Sequence, residues 1–228
     1  VIEFSNSTST QSVNNQLDLL NGDQFVAYRK SFTTHTAAGS NTDWQDVIYR
    51  DGMISNSQLS FSGGSDKIRY YVSGNYYNQN GVVINSGIDK YTIVSNLEAD
   101  LSDKFKVGLN LFTSKQNKDG IISQTGAGGT GAAGVIASAY RFMPDKGIYN
   151  ADGSYTTTAP IGDDIDNPYA TAMENILEVI NITNRSNFFA SYQITKDLNF
   201  KTTLGLTESN SQTGRYVPST LIAGKNIK

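Results

Sequence analysis

The 228-residue sequence is 38% hydrophobic but only 17% charged, and it contains 21 Gly, 13 Tyr and 4 Pro. The net charge of −3 shows no excess of basic residues, which a nucleic-acid-binding protein would need. Because the sequence contains 0 Cys, it has no disulfides, thiolate metal sites or cysteine nucleophiles. The sequence contains no run of about 18 apolar residues, so it predicts no transmembrane helix. A search for such runs does not detect membrane-crossing strands, whose apolar residues alternate with polar ones.

The first fifty residues predict one strand and two short helices. The opening VIEFSNSTST reads as a strand entered partway, and it begins with Val1 instead of Met, so we expect the chain to be a piece of a longer protein. Asn21, with Gln24 three residues later, has the pattern of a capping box. Asp43 predicts the start of a short helical turn in DWQDVIY.

In the next part of the chain, apolar and polar residues alternate as in a strand with one apolar face. In KIRYYVSGNYYNQNGVV one side of an extended chain carries Ile68, Tyr70, Val72, Gly74 and Tyr76, and the other carries polar residues and more tyrosines. Before it, FSGGSDKI predicts a hairpin in which Gly63 and Gly64 form the bend.

Two further hairpins are predicted from turn lengths. SDK would form a three-residue turn that pairs Leu101 with Phe105, Ala99 with Val107 and Leu97 with Leu109. TKD would form a similar turn that pairs Ile194 with Leu198. Both registers keep the apolar residues on one face.

The connections at the other strand ends are long. The longest runs from about residue 116 to residue 180, with helical patches before Pro144 and from Pro168, and a hairpin turn at Asp152–Gly153. Up-and-down strands with short turns at one end and long loops at the other are typical of an outer-membrane barrel. A soluble sandwich has no reason to sort its loops in this way.

The sequence contains only weak motifs for cofactor binding, metal binding or catalysis. GAGGTG matches a dinucleotide fingerprint at Gly126, Gly128 and Gly131, but no buried strand precedes it, so loop glycines are the better interpretation. The acidic cluster Asp163, Asp164 and Asp166 allows calcium in a loop, although a solvated acidic loop is favoured. His35 is interpreted as a surface histidine, and no carboxylate pair stands out, so we expect neither an enzyme nor a cofactor.

The tyrosines near the strand ends leave two interpretations open. Tyr side chains favour membrane interfaces because one end of the ring is apolar and the other is polar, but tyrosine is also common in ordinary strands. The corresponding interpretations are a barrel segment in a membrane and, as the alternative, a soluble β-sandwich that binds glycans or proteins. A passive porin is a third hypothesis.

The sequence resembles the early barrel of SusC/RagA-type TonB-dependent outer-membrane transporters. The most specific part is TDWQDVIYRDGMISNSQLSFSGGSDKIRYYVSGNYYNQNGVV, followed by YTIVSNLEADLSDKFKVGLNLFTSKQN. The stretches NPYATAMEN, NITNR, KDLNFKTTLGL and YVPST fit the same family, so the resemblance covers nearly the whole chain.

This resemblance implies an all-β fold: an antiparallel transmembrane β-barrel segment of about seven strands, with short helices in the loops, from a barrel of about 22 strands. Residues 1–228 would all belong to that barrel domain, and the plug domain and the remaining strands would lie outside this chain. The implied location is the outer membrane of a Gram-negative bacterium. The implied partners are a SusD-like surface lipoprotein as lid, the TonB complex acting through parts outside this chain, membrane lipid, and an oligosaccharide or peptide substrate, but no nucleic acid.

The resemblance also divides the strand residues by face. The expected lipid-facing residues are Ile68, Val72, Leu97, Val107, Leu109, Leu111, Phe200 and Leu204. The expected lumen-facing residues are Arg69, Tyr71, Asn75, Tyr77, Asn96, Glu98 and Asn110. The loop candidates for contact with substrate or lid are Tyr140, Arg141, Phe142, Tyr149, Tyr155 and Tyr169.

Overall fold

A computed structural model describes residues 1–120, 134–157 and 165–225. The described residues form one seven-stranded antiparallel sheet in which each strand pairs with its sequence neighbours, in the order β1-β2-β3-β4-β5-β6-β7. The strands are β1 (Ile2–Gln11), β2 (Gly52–Gly64), β3 (Ile68–Asn80), β4 (Gly87–Ser102), β5 (Phe105–Gly120), β6 (Ile176–Gln193) and β7 (Asn199–Tyr216). One continuous sheet, and not two packed layers, agrees with the predicted barrel segment and disagrees with the sandwich.

The helices are short and lie in the loops, as predicted. They are α1 (Gly22–Lys30), α2 (Trp44–Ile48), α3 (Val135–Arg141), α4 (Pro168–Glu174) and α5 (Ile222–Lys225). The capping box of Asn21 and Gln24 is present at α1, and Asp43 accepts hydrogen bonds from the first turn of α2. No helix among the described residues is long and apolar enough to cross a bilayer.

The tight turns confirm one predicted register and correct another. Ile194 N donates to Leu198 O at 2.9 Å, as the TKD turn predicted. In the SDK hairpin, the pairings Leu97–Leu109 and Ala99–Val107 are confirmed, but Leu101 does not pair with Phe105. Ser102 pairs with Phe105 instead, and a bulge between Asp100 and Ser102 absorbs Leu101. The reason is that Ser102 Oγ accepts hydrogen bonds from the backbone of residues 104 and 105, which closes a shorter turn.

The first hairpin is present, but its glycines do not form the bend. Ser65 N donates to Ile68 O at 2.7 Å, while Gly63 and Gly64 are still paired within β2. A Cβ on Gly63 would lie 2.7 Å from the Tyr70 hydroxyl, and one on Gly64 would lie 2.3 Å from Ile68 O. Gly64 is therefore needed for close packing of the two backbones, whereas a side chain at Gly63 would displace only the end of the Tyr70 side chain.

The register places the two predicted groups of strand residues on opposite faces of the sheet. One row crosses four strands as Leu97, Leu109, Phe188 and Leu204. All eight residues expected to face lipid lie on this face, which we call the apolar face. All seven residues expected to face the lumen lie on the other, which we call the polar face.

The apolar face changes character along the strands. On β3 its apolar stretch runs from Ile68 to Tyr76 and ends at Asn78, a length close to the roughly 9–11 residues that a tilted strand needs to cross a bilayer. Many of its side chains are uncovered, and Leu204 is 72% exposed. Beyond Leu111, β5 continues with Thr113 and Lys115 on the same face. The sheet thus carries an apolar band next to the tight turns and a polar extension towards the long loops.

A glycine on the polar face offers a test of the packing. The Phe189 ring lies against Gly108, so that a Cβ there would be 2.0 Å from Phe189 Cε1. We expect Gly108→Ala to destabilise the full-length protein by about 1–3 kcal/mol, a typical cost of overpacking. Gly74→Ala is the matched control, because its Cβ would meet nothing within 4 Å. Denaturant unfolding of both variants measures the difference, and equal stabilities would contradict the contact.

Candidate functional site

The long loops fold over the strand ends into a compact unit with its own core. Helices α2, α3 and α4, together with residues 81–86, 142–157 and 165–167, form what we call the loop cap. Its buried core consists of Trp44, Ile48, Val83, Val135, Ala139, Phe142, Ile165 and Ala172. This core fixes the positions of the side chains that line the outside of the cap.

Trp44 holds two distant parts of the chain together. Its ring meets Phe142 edge-on with centroids 4.8 Å apart, and its Nε1 donates to Met143 O at 3.0 Å. Phe142 is only 3% exposed. Its side chain packs in the core of the cap and also borders a cavity lined by Tyr140 and Arg141, so its contact with substrate or lid stays a prediction. Val135 and Ala139 lie one turn apart on α3, and this spacing was the sequence signal for a buried helix face.

Three of the predicted loop candidates come together as a tyrosine cluster, formed by Tyr149, Tyr155 and Tyr169. The rings of Tyr149 and Tyr155 stack with centroids 5.2 Å apart. Tyr169 meets Tyr149 edge-on at 6.2 Å and Tyr155 at 6.3 Å. Tyr149 remains 52% exposed. The cluster thus presents aromatic surface with polar hydroxyl groups at the outside of the cap.

The turn between Tyr149 and Tyr155 fixes the positions of these two rings. The predicted turn at Asp152–Gly153 is confirmed: Asn150 N donates to Ser154 O at 2.7 Å, and Gly153 has a φ of +82°, which favours glycine. Hydrogen bonds from the Ser154 side chain and backbone lower the pKa of Asp152. The turn brings Tyr149 and Tyr155 opposite each other as a bridged pair.

Tyr169 is positioned by the start of α4. Asn167 is the N-cap, and its Oδ1 accepts hydrogen bonds from the backbone of residues 169 and 170 at 3.0 and 3.2 Å. Its Nδ2 donates to Ile148 O at 2.9 Å, next to Tyr149. Burial, and then the neighbouring Tyr149, Glu174 and Tyr169, raise the pKa of Tyr155 above its ordinary value.

The remaining two candidates lie elsewhere on the cap. Tyr140 and Arg141 line a separate cavity of about 370 Å³ beside α2 and residues 17–21. The Tyr140 hydroxyl is 3.0 Å from that of Tyr49. Burial, followed by this hydrogen bond, raises the pKa of Tyr49. The six loop candidates therefore divide into the tyrosine cluster, this second cavity and the core.

His35 is not the surface histidine that the sequence predicted. Its Nε2 is 2.9 Å from Asp145 Oδ2, and the two side chains are 11% and 1% exposed. Asp145 Oδ2 also accepts a hydrogen bond from Ala38 N at 3.2 Å. The histidine fastens the loop after α1 to the cap. Because 110 positions separate the pair, no local sequence pattern predicts it.

The polar face is organised by cross-strand hydrogen bonds. Arg69 donates to Asp100 at 3.1 Å and to Glu98 at 3.5 Å near the tight turns. Further along, Asn75 Nδ2 donates to Asn56 Oδ1 on β2 at 2.8 Å. Within β3, the Tyr77 hydroxyl donates to Gln79 at 2.7 Å. Such a surface suits contact with water or with polar protein.

The structure describes only part of the acidic and glycine-rich motifs. Gly126, Gly128, Gly131, Asp163 and Asp164 lie outside the described residues. Asp166 accepts a hydrogen bond from Ile222 N at 2.8 Å. Across the described ranges, no three His, Cys, Asp or Glu side chains are grouped so as to hold a metal ion.

Comparison with known proteins relates the whole chain to parts of larger ones. It is 52% identical over 227 residues to TonB-dependent receptor P3 of Formosa agariphila, a match that covers 99% of this chain and 23% of that protein. It is 27% identical over 163 residues to TonB-dependent receptor SusC of Bacteroides thetaiotaomicron, covering 69% of this chain and 15% of SusC. The chain thus spans a quarter or less of the length of these relatives. No protein-family model matches it.

Solved structures show the same fold. The chain superposes on the RagAB peptide importer in its open-open state with a TM-score of 0.72 at 20% identity, covering 94% of this chain and 28% of that one. In the closed-closed state the TM-score is also 0.72, at 19% identity, covering 96% of this chain and 29% of that one.

Proposed function

Because the chain belongs to the TonB-dependent receptors of the SusC type, we propose that it forms part of the wall and outer entrance of a nutrient importer in the outer membrane of a Gram-negative bacterium. The apolar face would contact membrane lipid, and the polar face would line the lumen and contact the plug. The TonB complex would supply energy through parts outside this chain. The role is one of transport, with no catalytic step.

The observation that carries this proposal is the uncovered apolar band. It crosses all strands of the sheet on one face next to the tight turns, and on β5 it gives way to Thr113 and Lys115 towards the long loops. A water-soluble protein would need a second layer to cover such a face, since large exposed apolar patches mark contact surfaces. Lipid covers it in a barrel.

The tyrosine cluster supports a role of the loop cap in capture. Exposed aromatic side chains are enriched at binding sites, because they combine apolar surface with a polar end. We propose that the cluster, with Tyr140 and Arg141, contacts an oligosaccharide or peptide substrate or a SusD-like lipoprotein lid. The peptide alternative has support from the likeness in fold to RagAB, which is described as a peptide importer.

Single cysteines test the orientation, because the chain itself contains 0 Cys. In a full-length receptor with any other cysteine replaced, we expect Ala151→Cys to react with a membrane-impermeant maleimide on intact cells. Lys196→Cys, in a tight turn at the opposite end, should react only after the outer membrane is permeabilised. Both positions are exposed, so accessibility within the protein does not differ. Labelling of both sites on intact cells, or recovery of the receptor in the soluble fraction, would contradict the proposal.

A further inference from the structure

A polar cavity of about 440 Å³ lies where β3, β4 and β5 end beneath the loop cap. We call it the rim cavity. The side chains that matter for the argument are Arg50, Asn78, Asn85, Asp89, Asp119 and Tyr169. Its volume is within the range of small-molecule sites, roughly 300–1,000 Å³.

The rim cavity is on the apolar-face side of the sheet. Asn78 pairs with Asp89 on the same face as the stacked rings of Tyr76 and Tyr91, whose centroids are 4.9 Å apart. The Tyr76 hydroxyl donates to Asp89 Oδ1 at 2.8 Å. The cavity therefore begins one step beyond the aromatic edge of the apolar band, and tyrosines of this kind mark the membrane–water interface.

The walls of the cavity are fixed by backbone contacts. Arg50 donates from Nε to Gly81 O and from Nη2 to Ser86 O, both at 3.0 Å. Asn85 has a φ of 56°, and its Nδ2 donates to Ala172 O at 3.0 Å, which joins the loop to α4. The cavity is thus preformed, so a ligand would lose little affinity to ordering of the protein.

The lining selects for an uncharged ligand with many hydroxyl groups. Asn78 Nδ2 already donates to Asp89 Oδ1 at 2.9 Å, and Arg50 and Asn85 donate to backbone carbonyls. The carboxylate and amide oxygens of the lining can accept further hydrogen bonds, which sugar hydroxyls can donate. Tyr169 supplies an aromatic wall for the apolar C–H edge of a sugar ring. Two carboxylates against one guanidinium disfavour phosphate, sulfate or uronate groups, because those anions need an excess of cationic donors.

We propose that the rim cavity binds an uncharged sugar unit in the headgroup of an outer-leaflet glycolipid, with Tyr169 against the ring and Asp119 and Asn78 on its hydroxyls. The inference rests on the proposed function, since it takes the apolar face to contact lipid. A soluble saccharide offers the same chemistry, but the position beside the apolar band favours a sugar that is attached to a lipid. The cavity would then hold membrane lipid against the outer rim of the barrel wall, and it shares Tyr169 with the tyrosine cluster.

Adjacent residues on opposite faces of β5 give a matched test. Asp119 lines the rim cavity, and Lys118 does not. Lys118 lines an adjoining cavity of about 300 Å³, which also contains Gln11 and borders Asp119. The delipidated full-length receptor in detergent would be titrated with purified lipopolysaccharide, with the oligosaccharide released from it by mild acid, and with phosphatidylethanolamine vesicles. We expect Asp119→Ala to weaken lipopolysaccharide binding roughly tenfold, through loss of a charged hydrogen-bond acceptor, and Lys118→Ala to leave it unchanged. Met173→Trp, which narrows the cavity without changing its charge, should also weaken binding.

Each other outcome overturns the proposal in a recognisable way. If the released oligosaccharide binds as tightly as lipopolysaccharide, the cavity is a site for soluble sugar. If the phospholipid vesicles bind as tightly as lipopolysaccharide, the cavity does not recognise sugar. If Asp119→Ala and Met173→Trp both bind lipopolysaccharide as tightly as the wild type, the cavity is not its binding site. Failure of the proposed function would appear separately, as maleimide labelling of Lys196→Cys on intact cells.

Discussion

Arg in place of Leu109 is expected to lower the stability of the folded receptor by about 2–4 kcal/mol, the cost of a cationic side chain at the bilayer midplane. Leu109 lies within the apolar band, paired with Leu97 on one side and Phe188 on the other. Arg in place of the neighbouring Asn110 should have only a small effect, because that position is on the polar face, between Asn96 and Asn187.

Folding of the full-length receptor into liposomes, followed by its heat-modifiable mobility on gels, compares the two variants under one set of conditions. The same two variants are also folded in detergent without lipid. This control measures any effect of arginine on strand formation, which is expected to be the same for both changes. Small and equal losses in liposomes would show that the apolar face does not contact lipid.

Removal of two rings from the tyrosine cluster is expected to reduce substrate uptake by roughly tenfold or more. Truncation of an aromatic side chain that anchors a ligand commonly costs about 2 kcal/mol, and about 1.4 kcal/mol already corresponds to a factor of ten. The change is Tyr149→Ser with Tyr155→Ser. It leaves the core of the cap intact, because neither ring belongs to the buried cluster around Trp44.

The paired control is Tyr149→Phe with Tyr155→Phe, which keeps both rings and should retain most of the uptake. Co-purification of the surface lipoprotein, measured in the same strains, separates the two proposed contacts: a loss of uptake alone points to the substrate, and a loss of both points to the lid. Wild-type values for uptake and co-purification in the Ser variant would show that the cluster only stabilises the loop.

The strands were predictable because their signals are local. Alternation assigns each residue to a face, and the TKD turn fixes the register of its hairpin without information from elsewhere in the chain. Leu101 shows the limit of this reasoning. Ser102 closes a shorter turn with its hydroxyl, and counting turn residues does not reveal a bulge.

The loop cap was predictable only in its parts. The stacking of Tyr149 on Tyr155 follows from a recognisable turn, but the approach of Tyr169 depends on hydrogen bonds from Asn167 to a distant carbonyl. The burial of Asp145 against His35 likewise requires the folded loop. Contacts of this kind depend on tertiary packing, for which the sequence of either partner carries no periodic signal.

The contrast between sheet and cap has a consequence for the order of assembly. Every strand pairs with its neighbour in sequence, so hairpins can be added one after another with short chain closures, which is kinetically favourable. Trp44 and Met143, in contrast, are 99 positions apart, and their contact spans β2, β3, β4 and β5. Closing this contact before the four strands pair would cost the entropy of a long flexible loop. We therefore expect the cap to form after these strands, so that resistance of the cap to protease would report a folded sheet beneath it.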